Sequence, residues 1–169
     1  MNFLKIFIIL FLMPLFLSHC AKEEKTSLIV EEDVELQMIR AFKEGYDEFR
    51  EGDALFAAKK FNEAELLFPQ SSWAPKAALM AAYVYYSQDY YFDAESELKR
   101  FIKTYPNNPD LNYAHFLLAM CYYEKIVDEK KDTGPLLQAQ EKFNFIVKEY
   151  PNSDYALDAK YKLDLIQEY

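Results

Sequence analysis

The residue types that usually perform catalysis are few in this sequence and lie far apart. It has two histidines, and because His19 lies in an apolar N-terminal run, only His115 remains, with no Cys or carboxylate set at metal-ligand spacing. Asp128, Glu129 and Asp132 lack the order and the glycine of a calcium-binding loop. Neither a glycine-rich phosphate loop nor a Gly-x-Ser-x-Gly nucleophile motif is present. We therefore predict that the protein is not an enzyme and holds no metal or other cofactor.

The two cysteines predict a lipid attachment and not a disulfide. Lys5 precedes an apolar run over residues 6–17, and the run ends on Leu17-Ser18-His19-Cys20. This pattern resembles a bacterial lipoprotein signal, in which the Cys is acylated and becomes the first residue of the mature protein. We predict a signal peptide over residues 1–19 and a covalent lipid on Cys20. An uncleaved anchor helix is the alternative.

The segment after Cys20 differs in composition from the rest of the chain. Residues 20–32 are charged without an apolar period, which predicts a flexible tether. Cys121 lies among apolar neighbours and is predicted to be a small buried hydrophobic residue. The net charge of −9 argues against nucleic-acid binding, since phosphates require Lys and Arg. Aromatic residues reach 17%, which suggests that rings take part in recognition as well as in packing.

Helices must position any binding residues, and three similar joints separate them. An aromatic residue followed by Pro recurs at Phe68-Pro69, Tyr105-Pro106 and Tyr150-Pro151, and an Ala follows eight residues after each Pro. Apolar residues at helical spacing, interrupted at Gly52 and Asp89, fill the intervals. The predicted helices span residues 33–51, 55–67, 72–87, 92–105, 110–127, 135–150 and 153–169, with Ser72 and Ser153 as N-caps of the third and seventh.

Small and apolar positions repeat with a period of 37 residues. Ala57 and Phe61 correspond to Ala94 and Leu98, and eight extra residues enter near the charged loop that ends at Gly134. This resembles the tetratricopeptide repeat, which has two antiparallel helices per unit. We therefore predict an all-α tetratricopeptide-repeat solenoid over residues 33–169, with about three repeats and the first helix of a fourth.

In such arrays the first helix of each pair lines the concave face, and the repeat register predicts which side chains lie there. The predicted positions are Phe42, Tyr46, Phe49, Arg50, Tyr83, Tyr86, Tyr113, Phe116 and Tyr123, accompanied by Leu79, Ser87, Met120 and Glu124. Their chemistry favours a groove for an extended, aromatic-rich peptide, and Arg50 could pair with a terminal carboxylate. The alternative is that these rings pack inside the superhelix or against the N-terminal segment.

Three sequence segments within the repeats resemble those of a known family. They are Ala82-Tyr83-Val84-Tyr85-Tyr86, Arg100-Phe101-Ile102 with Tyr105-Pro106-Asn107-Asn108-Pro109 and Tyr113-Ala114, and Tyr150-Pro151-Asn152-Ser153-Asp154-Tyr155-Ala156. Over residues 38–169 the chain is similar to the BamD family of outer-membrane assembly lipoproteins. Because that family has about five repeats, we expect that this sequence lacks C-terminal repeats.

The resemblance implies a non-catalytic subunit of the machine that inserts β-barrel proteins into the outer membrane. Such a subunit is lipid-anchored on the periplasmic face. Its implied partners are the periplasmic domains of the central barrel subunit, other assembly lipoproteins and unfolded outer-membrane proteins. Two alternatives stay open: a repeat lipoprotein that serves as a scaffold for pilus or cell-wall assembly, and an adaptor for a cell-wall hydrolase.

Overall fold

A computed structural model describes residues 33–126 and 133–167. In these ranges seven helices follow one another: α1 Val34–Glu51, α2 Ala54–Leu67, α3 Ala74–Ser87, α4 Tyr91–Thr104, α5 Leu111–Tyr123, α6 Gly134–Glu149 and α7 Asp154–Gln167. The prediction of seven helices in this order is confirmed. The predicted signal peptide, Cys20 and the tether lie outside the described residues.

The first two helix pairs have the same turn between their members. Gly52, with φ 91°, ends α1, and the N–H of Asp53 donates to the carbonyl of Glu48 at 3.0 Å. Thirty-seven residues later Asp89 has φ 63°, and the N–H of Tyr90 donates to the carbonyl of Tyr85 at 3.0 Å. A left-handed residue with a bond that closes the last turn is the usual way for a helix to end. The turn geometry therefore confirms the 37-residue register.

The predicted N-cap at Ser72 is wrong, whereas the one at Ser153 is confirmed. The third helix begins at Ala74, and Ser71 Oγ accepts a hydrogen bond from the N–H of Trp73 at 3.1 Å. A cap at Ser72 would use the N–H of residue 74 or 75, but the N–H of Ala74 donates to the carbonyl of Ser71 at 3.1 Å, and residue 75 is a proline without an N–H. Before α7, Ser153 Oγ accepts a hydrogen bond from the N–H of Ala156 at 3.2 Å.

The fifth helix is shorter than predicted. It ends at Tyr123, whereas the apolar pattern predicted a helix to residue 127. The N–H groups of Lys125 and Ile126 donate to carbonyls three residues back, at 3.2 and 3.1 Å, which tightens the chain out of the α-helix. Hydrophobic spacing cannot reveal this change, because the same side chains suit either type of turn.

The helices form two layers, one from the first and one from the second members of the pairs. Consecutive helices pack against each other, and in addition α3 contacts α5 and α5 contacts α7. Gly45 allows the close approach of α1 to α2, since an added Cβ would lie 3.1 Å from both the carbonyl of Ala57 and the ring of Phe61. Phe61, Phe101 and Phe143 are fully buried, one in each second helix. Large side chains thus fill the space between the pairs, as the period predicted.

A buried carboxylate joins the second helices of the first two pairs. Glu65 in α2 is 5% exposed and accepts two hydrogen bonds from Arg100 in α4, at 2.8 and 2.7 Å. The hydroxyl of Tyr105 donates to the same carboxylate at 2.6 Å, and Arg100 also donates to Glu97 at 2.8 Å. Arg100 and Tyr105, which belong to one of the segments that resemble the family, therefore have a structural role. They fix α4 against α2.

Candidate functional site

The described residues form an apolar groove between the first helices of three pairs. Its volume is about 470 Å³, and its walls come from Phe42, Lys76, Leu79, Met80, Tyr83, Asp110 and Tyr113. Phe42 belongs to α1, Tyr83 to α3 and Tyr113 to α5, so that each of three helices contributes one ring. The repeat register had predicted these three rings and Leu79 for the concave face.

Contacts between aromatic rings hold the groove wall of Phe42 and Tyr83 in place. Phe42 meets Phe61 of α2 edge-on at 5.1 Å and meets Trp73, at the start of α3, edge-on at 5.2 Å. Phe49 meets Tyr83 edge-on at 5.9 Å. Edge-to-face pairs at these distances are favourable and directional. The groove is therefore preorganised before any ligand enters.

The opposite wall is an aromatic stack that continues into α7. Tyr113 lies 5.4 Å from Tyr155, measured between ring centroids. Burial raises the pKa of Tyr113 well above its ordinary value. Its hydroxyl therefore stays neutral throughout the physiological range and can serve as a hydrogen-bond donor or acceptor for a ligand.

Two charged residues of opposite sign complete the groove lining. Lys76 lies near the start of α3, with its Nζ 4.8 Å above the Trp73 ring. Asp110 immediately precedes α5. The sequence analysis missed Lys76, Met80 and Asp110. The 37-residue register could have found Lys76, since Lys76 corresponds to the predicted Tyr113. Met80 corresponds to Lys43, which lies outside the groove, and Asp110 belongs to a turn and has no helical spacing.

Other predicted residues of the concave face contact neighbouring helices. Phe116 lies 5.3 Å from Tyr155 and 6.1 Å from Phe143, and Tyr123 lies 6.2 Å from Phe143. Tyr86 lies 5.8 Å from Tyr91, across the turn between α3 and α4. These three rings do not line the groove, and they pack as the alternative interpretation described.

The remaining predicted positions lie outside the groove as well. Tyr46 is 49% exposed, and Arg50 is exposed near the end of the same helix. Met120 is buried, whereas Ser87 and Glu124 are exposed. The structure thus divides the residues predicted for the concave face into a groove between three helices, a set of interhelical contacts and an exposed strip on α1.

The residues with possible acid–base or nucleophilic chemistry are packed into the array. His115 lies 4.6 Å from Phe145 and 5.9 Å from Tyr150, and burial, assisted by the charge of Lys142, lowers its pKa. Cys121 is buried as predicted, and this burial raises the pKa of its thiol to about 12. In the part of the chain that the structure describes, no three His, Cys, Asp or Glu side chains converge on a metal site.

Within residues 33–126 and 133–167, every helix is too short or too polar to cross a bilayer.

The fold is shared with tetratricopeptide proteins. The chain superposes on the tetratricopeptide domain of Arabidopsis OM64 with a TM-score of 0.57 at 11% identity, over 78% of this chain and 98% of that domain. At this identity the match shows the architecture alone. The predicted all-α tetratricopeptide solenoid is confirmed.

The sequence also has relatives among characterised proteins. The outer membrane protein assembly factor BamD of Caulobacter vibrioides is 34% identical, with 88% of this chain and 48% of that protein covered. The protein of the same name from Rickettsia prowazekii is 31% identical, with 72% of this chain and 51% of the relative covered. The chain thus spans about half the length of these relatives.

The family model described as YfiO, outer membrane lipoprotein, matches residues 34–169. This match includes all seven described helices, the three groove rings and the sequence segments that resemble the BamD family. The chain belongs to the YfiO family of outer membrane lipoproteins.

Proposed function

We propose that this protein is a non-catalytic subunit for the assembly of β-barrel proteins in the outer membrane. Support comes from membership of an outer membrane lipoprotein family and from relatives named as outer membrane protein assembly factors. A lipid on Cys20 would hold the helical body at the periplasmic face. The central barrel subunit, through its periplasmic domains, and other assembly lipoproteins are the proposed partners.

The groove is the part of this body that we propose binds unfolded barrel proteins. The observation that supports this role is a largely apolar groove whose three rings, Phe42, Tyr83 and Tyr113, come from three successive first helices. Strands of membrane barrels alternate apolar and polar residues and have aromatic belts at both ends. An extended segment could therefore place alternate side chains in the groove while its other side chains face water.

The dimensions and polarity of the groove suit one or two large side chains. A volume of about 470 Å³ exceeds that of a single aromatic side chain and is far smaller than the volume of a whole helix. Lys76 and Asp110 provide one charge of each sign, so that the groove does not require a strongly charged ligand. Affinity would come from apolar burial against preorganised rings, at about 25 cal/mol per Å² of apolar surface.

Trp73 provides the readout for the binding experiment. It is the single Trp of the chain and its ring lies 5.2 Å from Phe42, which lines the groove. The full chain in detergent is titrated with a synthetic strand of alternating aromatic and polar residues while Trp73 emission is followed. We expect saturable binding, and we expect Tyr83→Ala to weaken it about tenfold, because one aromatic anchor is removed.

Tyr161→Ala is the matched control, since Tyr161 is 63% exposed on α7 and does not line the groove. It should bind the strand as well as the unmodified chain does. If Tyr83→Ala retains full affinity while its helical circular dichroism is intact, the proposed role of the groove is wrong.

A further inference from the structure

One face of α1 is exposed along the whole length of the helix. Its residues, which we name the α1 seam, are Leu36, Ile39, Lys43, Tyr46 and Arg50. Leu36 is 54% exposed, and Ile39 and Tyr46 are each 49% exposed. The opposite face of α1, with Met38, Ala41 and Gly45, is buried.

The spacing within the seam is that of a contact between helices. Its members follow at intervals of three, four, three and four residues, which places them in one row along the helix. At 1.5 Å per residue the row is roughly 21 Å long, or four helical turns. A second helix that lies along α1 could contact all five side chains at once.

The charge of the seam is opposite to that of the molecule. The seam contains Lys43 and Arg50 and no carboxylate, whereas the chain has a net charge of −9. Successive residues are offset by about 100° around a helix, so that Glu35 and Asp47 flank the seam on its two sides. The cationic strip is therefore narrow and bordered by acidic residues.

This arrangement argues against two occupants. A second copy packed in parallel would place Lys43 against Lys43 and Arg50 against Arg50, which is repulsive. A flat anionic membrane would meet Glu35 and Asp47 together with the seam, whereas membrane-surface helices have a broad apolar face with basic residues on the polar side. A single narrow helix contacts the seam without covering its acidic borders.

We propose that the α1 seam is a docking site for an amphipathic helix of another protein. That helix has apolar side chains opposite Leu36, Ile39 and Tyr46, and carboxylates opposite Lys43 and Arg50. The seam is separate from the groove, because none of its five residues lines the groove walls. Docking on the seam does not depend on whether the groove binds barrel segments.

The test uses two synthetic helices of about 21 residues with Leu at the seam-facing apolar positions. The acidic probe has Glu at the two positions that face Lys43 and Arg50, and the basic probe has Lys there. Binding of each fluorescently labelled probe to the full chain in detergent is measured by anisotropy at about 0.05 M salt, where screening is weak. We expect the acidic probe to bind roughly tenfold more tightly than the basic probe.

The variant Lys43→Glu/Arg50→Glu should reverse this preference, so that the basic probe binds more tightly. The double variant Lys103→Glu/Lys160→Glu is the control, because it makes the same change in net charge at exposed positions on α4 and α7. It should keep the preference for the acidic probe. Since both seam residues are exposed, the helical content of all variants should agree.

Several outcomes would overturn the proposal. One is equal binding of the two probes, and another is a control variant that behaves like the seam variant. A third is concentration-dependent dimerisation that disappears in the seam variant, since a second copy would then be the occupant. The last is retention on phosphatidylglycerol vesicles that depends on Lys43 and Arg50 while neither probe binds. Strand binding reported by Trp73 is measured on the same samples, so that failure of the seam is distinguished from failure of the groove.

Discussion

At the scale of single residues, Glu65 is the polar group on which the packing of the second helices depends. It is almost fully buried, and both of its oxygens accept hydrogen bonds from Arg100 in the next pair. A buried charge is stable only when it is paired and hydrogen-bonded. Removing one partner leaves the other without compensation, which costs more than the pair itself contributes.

We therefore expect Glu65→Gln to lower the free energy of unfolding by about 2 kcal/mol in urea titrations. This loss is smaller than that for a fully buried ion pair, because Arg100 is partly exposed. The exposed pair of Lys148 and Glu149 is the comparison, and Lys148→Ala should change the free energy of unfolding by less than about 0.5 kcal/mol. Equal effects of the two substitutions would contradict the importance of burial. Replacing both Glu65 and Arg100 by Leu should recover part of the loss.

Glu95 gives the stability of the array a dependence on pH. Burial raises the pKa of its carboxyl, but hydrogen bonds from Lys125, Lys99 and Tyr122 outweigh burial and lower the pKa to about 2. Because the folded state holds the proton more weakly, the stabilisation is present above the ordinary pKa of Glu near 4.3 and is lost as the pH falls toward 2.

We expect the free energy of unfolding, measured by urea titration, to decrease between pH 5 and pH 2. In Glu95→Gln this decrease should be smaller by roughly 2 kcal/mol. The matched control is Glu141→Gln, since Glu141 is exposed and pairs with the adjacent Lys142. Identical pH profiles for Glu95→Gln and the unmodified chain would show that the hydrogen bonds to Glu95 contribute nothing to stability.

At the scale of elements, the turns between paired helices decide how the array is built. Gly52 ends α1 with φ 91°, and an added Cβ at this position would meet no atom within 4 Å. The substitution Gly52→Ala therefore tests backbone strain without a steric clash. Left-handed backbone costs an L-residue roughly 1–2 kcal/mol.

We expect Gly52→Ala to destabilise the protein by about 1 kcal/mol in thermal or urea unfolding. Gly52→Asn should cost less, because Asn tolerates the left-handed region, as Asp89 does at the equivalent turn of the next pair. A loss for Asn as large as that for Ala would indicate a cause other than backbone conformation.

At the scale of the whole molecule, the layered array presents several different surfaces that could bind partners. Co-purification of the protein with its partners tests the proposed function. After gentle solubilisation of membranes, we expect the protein to co-purify with a large outer-membrane barrel that has repeated periplasmic domains. Recovery of a pilus secretin or a cell-wall hydrolase in its place would contradict the proposed function and favour one of the alternatives. Cys20→Ala is the control for anchoring, since it should release the body from the membrane.

The sequence by itself determined the order of the helices, the repeat register and the family. These properties depend on local chemistry: proline and left-handed turn residues end helices, and small residues recur where helices pack closely. The equivalence of Gly52 and Asp89 could be read from the chain because backbone conformation at a turn is set by nearby residues. The same register predicted Phe42, Tyr83 and Tyr113 for one face.

Only the tertiary structure decided which rings form the groove and which are packed between helices. Leu79 and Phe116 occupy equivalent places in the 37-residue repeat, yet Leu79 lines the groove while Phe116 lies against Tyr155 of α7. The pairing of Glu65 with Arg100 and the exposure of the α1 seam were likewise invisible in the sequence. Periodicity reports the face on which a side chain lies, whereas burial depends on what the following helices place against that face.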